Sequence, residues 1–181
     1  REEVGWGASS RNGGQVLTGL KLDPVTLVAR YGEAAARQLF DASLQSIERL
    51  ETLIASEAIA CGVRRSGHVQ AASKPSHFKA LREEQAVLAR VFGHRVELVP
   101  PSEQRSELGS DAFHGLLVDE RSAALDPARY VQGLAEAAIR VGATIVTATA
   151  VERVTPPGTG AKYWRLATPG GEGEATDVLL I

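Results

Sequence analysis

The chain has 181 residues, 44% of them apolar and 23% charged, with a formal charge of −2, which suits one sizeable soluble domain or two small ones. Near-balanced charge argues against a broad electrostatic footprint for nucleic acid. The longest clean apolar run, Val178-Leu-Leu-Ile181, is far short of the ~20 residues that cross a bilayer.

Residues 5 to 19 are dominated by Gly, Ser and Asn, so the backbone there must turn sharply or approach something closely. Asp23-Pro24 opens a helical region. Phe40, Leu44, Ile47, Leu50, Ile54 and Ala58 then recur at intervals of three and four, one face of a long amphipathic helix. Arg37, Asp41, Gln45, Glu48 and Thr52 fall on its solvent side. Cys61, the only cysteine, follows that helix and is expected to be a buried structural thiol. A lone cysteine excludes an internal disulfide framework or a cysteine-based metal cluster, and suits a reducing cytoplasm.

Residues 62 to 73 read as a strand. Pro75 and Gly93 bracket a second helix carrying Phe78, Leu81, Leu88 and Val91. Residues 95 to 99 read as a short strand, and residues 102 to 108 as one or two polar helical turns. Residues 112 to 118 form another strand. Asp126 suits the N-cap and Pro127 the first position of a helix with Val131, Leu134 and Ala138 buried, and Gly142 supplies its left-handed C-terminal residue. Residues 143 to 154 carry two strand signals, and residues 162 to 168 alternate as a strand with Trp164 and Leu166 on one side. Val178-Leu-Leu-Ile181 reads as a strand buried in a parallel sheet. The mixture is α/β or α+β. With no methionine present, an abrupt Arg1-Glu2-Glu3 opening and that terminal strand, the sequence reads as an internal fragment of a larger protein.

Chemistry is concentrated in Ala8-Ser-Ser-Arg-Asn-Gly-Gly-Gln15. Its glycines let backbone N–H groups reach a ligand, and Ser9, Asn12 and Gln15 offer polar contacts. It is neither a P-loop nor a dinucleotide fingerprint. Composition alone leaves a solvent loop and a cofactor loop equally open. Asp111, His114 and Asp119 are polar candidates, each more readily structural than catalytic. The four histidines, His68, His77, His94 and His114, lack metal-ligand spacing, so no metal site is expected, and no nucleophile elbow is present.

The stretch Gly5-Trp-Gly-Ala-Ser-Ser-Arg-Asn-Gly-Gly-Gln15 resembles the Gly-x-Gly-Ala-Ser-Gly-Arg-Asn-Gly-Gly-Gln motif of the D-amino-acid-oxidase-like (DAO) superfamily of FAD-dependent oxidoreductases, in particular the gamma-glutamylputrescine oxidoreductase type. Leu108-Gly-Ser-Asp111, His114-Gly-Leu-Leu-Val-Asp119 with Ser122-Ala-Ala-Leu-Asp-Pro-Ala-Arg-Tyr130, and Gly142-Ala-Thr-Ile-Val-Thr-Ala-Thr-Ala-Val151 continue the likeness over nearly the whole chain. Ser10 stands where the family commonly has glycine.

The resemblance implies part of a two-domain, glutathione-reductase-like FAD-binding fold, without its first βαβ unit and C-terminal part. Residues 1–60 and 126–181 would belong to the FAD-binding domain. Residues 61–125 would belong to a substrate domain on an antiparallel or mixed sheet. Ala8, Ser9, Arg11, Asn12, Gly14 and Gln15 would line the flavin or its pyrophosphate, and Val151 would present backbone to the adenine. The implied reaction removes hydride from the carbon beside an amine, giving imine and reduced flavin; a primary or secondary amine or an amino acid is the expected substrate, and FAD the cofactor. The fragment alone is expected to bind FAD weakly or not at all. The alternative is a non-catalytic fragment or partner-binding module without flavin. A modified-tRNA amine as substrate would require a basic face that the sequence lacks.

Overall fold

The sequence is continuous, and the computed structural model describes residues 3–160 and 162–179. After a looped opening, β1 (Gln15–Val16) leads to α1 (Pro24–Ser56). Asp23 starts that helix by accepting the Thr26 N–H at 2.9 Å, with Pro24 in the first turn, where its missing donor costs nothing. Gly32 breaks the helical geometry at φ 76°, so α1 is two helices joined at a kink. Leu27, Ala36, Phe40, Ile47 and Ile54 are its buried residues, and the predicted polar face is exposed. Burying a side chain such as Phe40 contributes roughly 1.5–3 kcal/mol.

The apolar stripe stops one turn earlier than its spacing suggests. α1 ends at Ser56, and Ala58 is exposed in a left-handed conformation, φ 52°. Ala58 N–H donates to Ala55 O at 3.3 Å and Ile59 N–H to Ile54 O at 2.9 Å. That is a Schellman stop, and Ile59 folds back into one buried cluster with Ile54 and Cys61. The cap therefore uses position 58 as backbone, not as part of the stripe.

β2 (His68–Ala71), β3 (Glu97–Val99) and β4 (Leu116–Asp119) form an antiparallel sheet in the order β2-β4-β3. Its strands are shorter than the predicted runs because pairing, not propensity, sets their ends. Between β2 and β3, α2 (Pro75–Val87) continues into a π-helical turn, Leu88–Phe92, closed by Gly93. α2 covers the sheet through Leu81, packed with Ala72 and Leu117. α3 (Gln104–Leu108) fulfils the expected polar turns.

β5 (Ala123–Ala124) pairs antiparallel with β1, joining the opening loop to the chain entering α4 (Pro127–Arg140). Asp126 accepts the Ala128 and Arg129 N–H groups at 3.0 and 3.1 Å. Gly142, at φ 96°, ends α4 with N–H bonds from Gly142 to Ile139 O and from Ala143 to Ala138 O, both 3.0 Å. Both ends of α4 follow the predicted capping, but its buried residue is Ala137, with Val131, Leu134 and Ala138 only half-buried.

β6 (Arg153–Thr155), β7 (Trp164–Thr168) and β8 (Gly171–Ala175) form the last antiparallel sheet, in chain order. Two expectations are corrected here. Residues 143–151 are not strand, and Ile145, Val146 and Val151 are exposed, because no strand flanks them among the described residues. Val178 and Leu179 are not strand either, and Leu179 is 85% exposed. Leu180 and Ile181 lie outside the described residues. Every strand pairing described is antiparallel, so the expected buried parallel strand is absent among these residues.

Candidate functional site

The opening loop is held by its own side chains. Asn12 accepts the Gly14 N–H at 2.8 Å and donates to Ala8 O and Ser9 O at 3.1 and 3.0 Å. Ser10 Oγ donates to Gly5 O, so its hydroxyl ties the loop to its own backbone. Arg11 stacks over the exposed Trp6 ring at 4.8 Å. Such a contact is worth ~0.5–1 kcal/mol at an exposed site and steadies the guanidinium.

Gly14 is buried, at φ 63°, and its carbonyl accepts the Leu125 N–H at 2.9 Å. A Cβ placed on it would stand 1.9 Å from Leu125 O. The close approach that demands glycine at this position is made by the chain's own backbone, where β1 meets β5.

Ala8, Ser9, Arg11, Asn12 and Gln15 are all exposed and lie together, Gln15 in β1 and the others on the loop. The N–H groups of Ala8, Ser9 and Gly13 donate to no acceptor among the described residues. No acidic side chain lies between positions 5 and 15. A guanidinium, a hydroxyl, a side-chain amide and open backbone donors suit a ligand rich in hydrogen-bond acceptors or negative charge, such as the carbonyl edge of a flavin ring or a pyrophosphate. The donor set therefore fits FAD. Val151 is separate from this group in sequence, 51% exposed and two residues before β6.

A second polar cluster lies where residues 17–19 leave β1 and run beside the β2-β4-β3 sheet. Asp119, at the end of β4, is buried. One carboxylate oxygen, Oδ2, stands 3.0 Å from His94 Nε2 and accepts the Thr18 hydroxyl; the other accepts the Arg121 N–H at 2.9 Å. Burial pushes the Asp119 carboxyl up, but the hydrogen bonds from His94 and Thr18, the attraction of His94 and the Arg121 N–H outweigh it and hold it below its ordinary value.

Thr18 and Asp119, with Ser122, line a cavity of about 250 Å³ that Leu20, Leu27, Gln70 and Glu84 also line. Glu84 is shifted the other way: burial, then the Asp23 charge, raises its carboxyl above the usual range. Asp111 instead forms an exposed ion pair with Arg105 at 2.5 Å, and His114 is exposed. Among the described residues no three His, Cys, Asp or Glu side chains are grouped to hold a metal ion. No helix among them is long and apolar enough to cross a membrane.

Thr18, His94 and Ser122 were not singled out by sequence pattern. His94 depends on the π-helical turn, which has no periodic signature. Thr18 reaches Asp119 across 101 positions, a separation local pattern does not bridge.

A mixed α/β fold with antiparallel sheets and a donor-bearing opening loop suits an FAD-dependent oxidoreductase. Residues 1–181 match the family model for DAO, FAD dependent oxidoreductase, and the chain belongs to that family, whose cofactor is FAD. It is 31% identical over 143 residues to a probable oxidoreductase, OrdL, of Haemophilus influenzae, covering 78% of this chain and 33% of that protein. It is 27% identical over 151 residues to gamma-glutamylputrescine oxidoreductase of Escherichia coli, covering 83% of this chain and 35% of that protein. The chain thus spans about a third of the length of these curated relatives. Glycine oxidase from Geobacillus kaustophilus shares its fold, with a TM-score of 0.76 at 19% identity over 97% of this chain and 45% of that one.

Proposed function

We propose that this chain forms the flavin-facing part of an enzyme that oxidises a primary or secondary amine, or an amino acid, to the imine, which water then hydrolyses. The observation that carries the reading is the loop at residues 5–15: internally braced, free of acidic side chains, and presenting open donors beside Arg11. The relatives named as an amine oxidoreductase and a glycine oxidase favour the same substrate class.

In this reading Ser9, Arg11 and Gln15 face the cofactor with their side chains, and Ala8 with its backbone. Asn12 and Gly14 serve the site by holding that backbone in place. Val151 contributes backbone to the adenine end. Bound FAD supplies a two-electron acceptor, so no protein nucleophile is required. Arg11 stabilises negative charge that develops on the acceptor, and the protein's remaining task is to orient the amine and exclude water. Residues 1–60 and 126–181 serve the cofactor domain, and residues 61–125 the substrate domain; the β2-β4-β3 sheet falls wholly within the latter span.

The test is to purify the full-length protein with FAD and add amines and amino acids anaerobically. The proposal expects yellow protein whose flavin bands bleach with at least one such substrate. A stable, colourless protein that takes up no FAD would support a partner-binding module instead.

A further inference from the structure

Residues 18 and 19 are anchored at three points by groups remote in sequence. The Thr18 hydroxyl donates to Asp119, the Thr18 N–H donates to Ser122 Oγ at 3.4 Å, and the Gly19 N–H donates to Ser43 Oγ at 2.9 Å. Ser43 Oγ donates in turn to Phe40 O at 2.6 Å, in the middle of α1. Phe40 packs against Phe92 and His94 at ring-centroid distances of 4.6 and 5.2 Å. Asp119 therefore joins four parts of the chain: the segment after β1, the end of β4, the turn into β5, and the residue just past the π-helical turn.

We propose that Asp119 is a positioning residue for the cofactor-binding loop, holding residues 17–19 through the Thr18 hydroxyl so that the donors at residues 8–15 stand in one place. The proposal rests on the flavin reading above. A buried carboxylate is costly unless it is fully partnered, and apolar packing of the same volume would serve stability as well. What apolar packing does not supply is direction. The bonds from Arg121 N–H to Oδ1 and from His94 to Oδ2 fix the carboxylate's angle, and Oδ2 in turn sets the register of the segment it holds through Thr18. That segment continues without a break from β1, whose first residue, Gln15, is one of the exposed donors. A shift of residues 17–19 would pass directly to Gln15 and Gly14, which fix the loop against Leu125.

The experiment compares Thr18→Val with Thr18→Ser in the full-length protein. Valine keeps the shape and removes the donor, whereas serine keeps the donor. Two quantities are read: FAD affinity by titration, and hydrogen exchange in peptides covering residues 16–22 of the flavin-free protein. The Thr18 and Gly19 amides report the anchoring directly.

T18V is expected to raise the FAD dissociation constant about tenfold or more, the scale of one hydrogen bond to a charged acceptor. It is also expected to speed exchange in residues 16–22, with T18S close to the unsubstituted protein in both. Unchanged affinity and exchange in T18V would overturn the proposal, as would a T18S variant as impaired as T18V. If the unsubstituted protein takes up no FAD, the flavin reading fails by itself. Exchange then still decides the clamp: faster in T18V upholds it, unchanged overturns it.

Discussion

Gly14→Ala separates two explanations for the glycine at position 14: contact with a ligand, or contact with the protein's own backbone. The residue sits at φ 63°, and a Cβ there would meet Leu125 O at 1.9 Å and Pro127 Cδ at 3.1 Å. Holding a non-glycine residue in the left-handed region costs about 1–2 kcal/mol. Moving β1 away from Leu125 to admit the methyl adds about 1–3 kcal/mol, the usual scale of overpacking. The sum is about 2–5 kcal/mol, felt with or without flavin because every clashing atom belongs to the protein. Gly7 is the control, since nothing lies within 4 Å of its Cβ position and its φ is not in the left-handed range. Gly7→Ala should change stability by less than about 0.5 kcal/mol. Urea unfolding of the flavin-free full-length protein measures both. A G14A variant that unfolds at the wild-type midpoint and loses only FAD binding would refute the reasoning, because it would mean that the ligand, not Leu125, needs the space.

Three further expectations concern the end of α1, the buried Asp119 and the half-buried Glu84. Ala58→Gly relieves a left-handed alanine at the end of α1; after glycine's own entropic cost, denaturant unfolding should show a gain of about 0.5–1 kcal/mol. Asp119 titrates below its ordinary 3.8 in the folded protein, so its contribution is complete above that pH and is lost as pH falls through the lower folded-state value. Asp119→Asn should therefore flatten the acid limb of the stability profile below pH 3.8, and an unchanged limb would contradict it. Glu84 is raised above 4.5, so its ionised form opposes folding at neutral pH. Glu84→Gln should stabilise the protein at pH 7, with the advantage fading as the pH is lowered toward 4.5; a gain that persists there would point to packing instead.

What could be read from the sequence follows its local rules. Asp126-Pro127 and Gly142 mark both ends of α4, and Asp23-Pro24 the start of α1, because caps are made by neighbours. The 3–4 spacing from Phe40 to Ile54 gives the inward face correctly, with Phe40, Ile47 and Ile54 buried and Leu44 and Leu50 half-buried between them. It fails at Ala58, where a Schellman turn reverses the chain without the glycine that normally announces one. Strands were harder. Residues 143–151 and 178–179 have the composition of strands, yet a strand exists only where another pairs with it, and none does among the described residues.

The site divides in the same way. The loop at residues 8–15 is contiguous, so its chemistry was visible in one glance along the chain. The sequence alone did not show that Asn12 spends its amide on Ala8, Ser9 and Gly14, or that Gly14 answers to Leu125. Asp119 is a polar candidate from the sequence alone. Its partners Thr18 and His94 arrive from 101 and 25 positions away, and only the fold assembles them.

The most direct measurement is a crystal structure of the full-length protein grown with FAD. The account predicts the isoalloxazine ring or pyrophosphate against residues 8–15, with Arg11 and backbone N–H groups within hydrogen-bonding distance. Density placing the flavin elsewhere, with that loop facing only solvent, would contradict it.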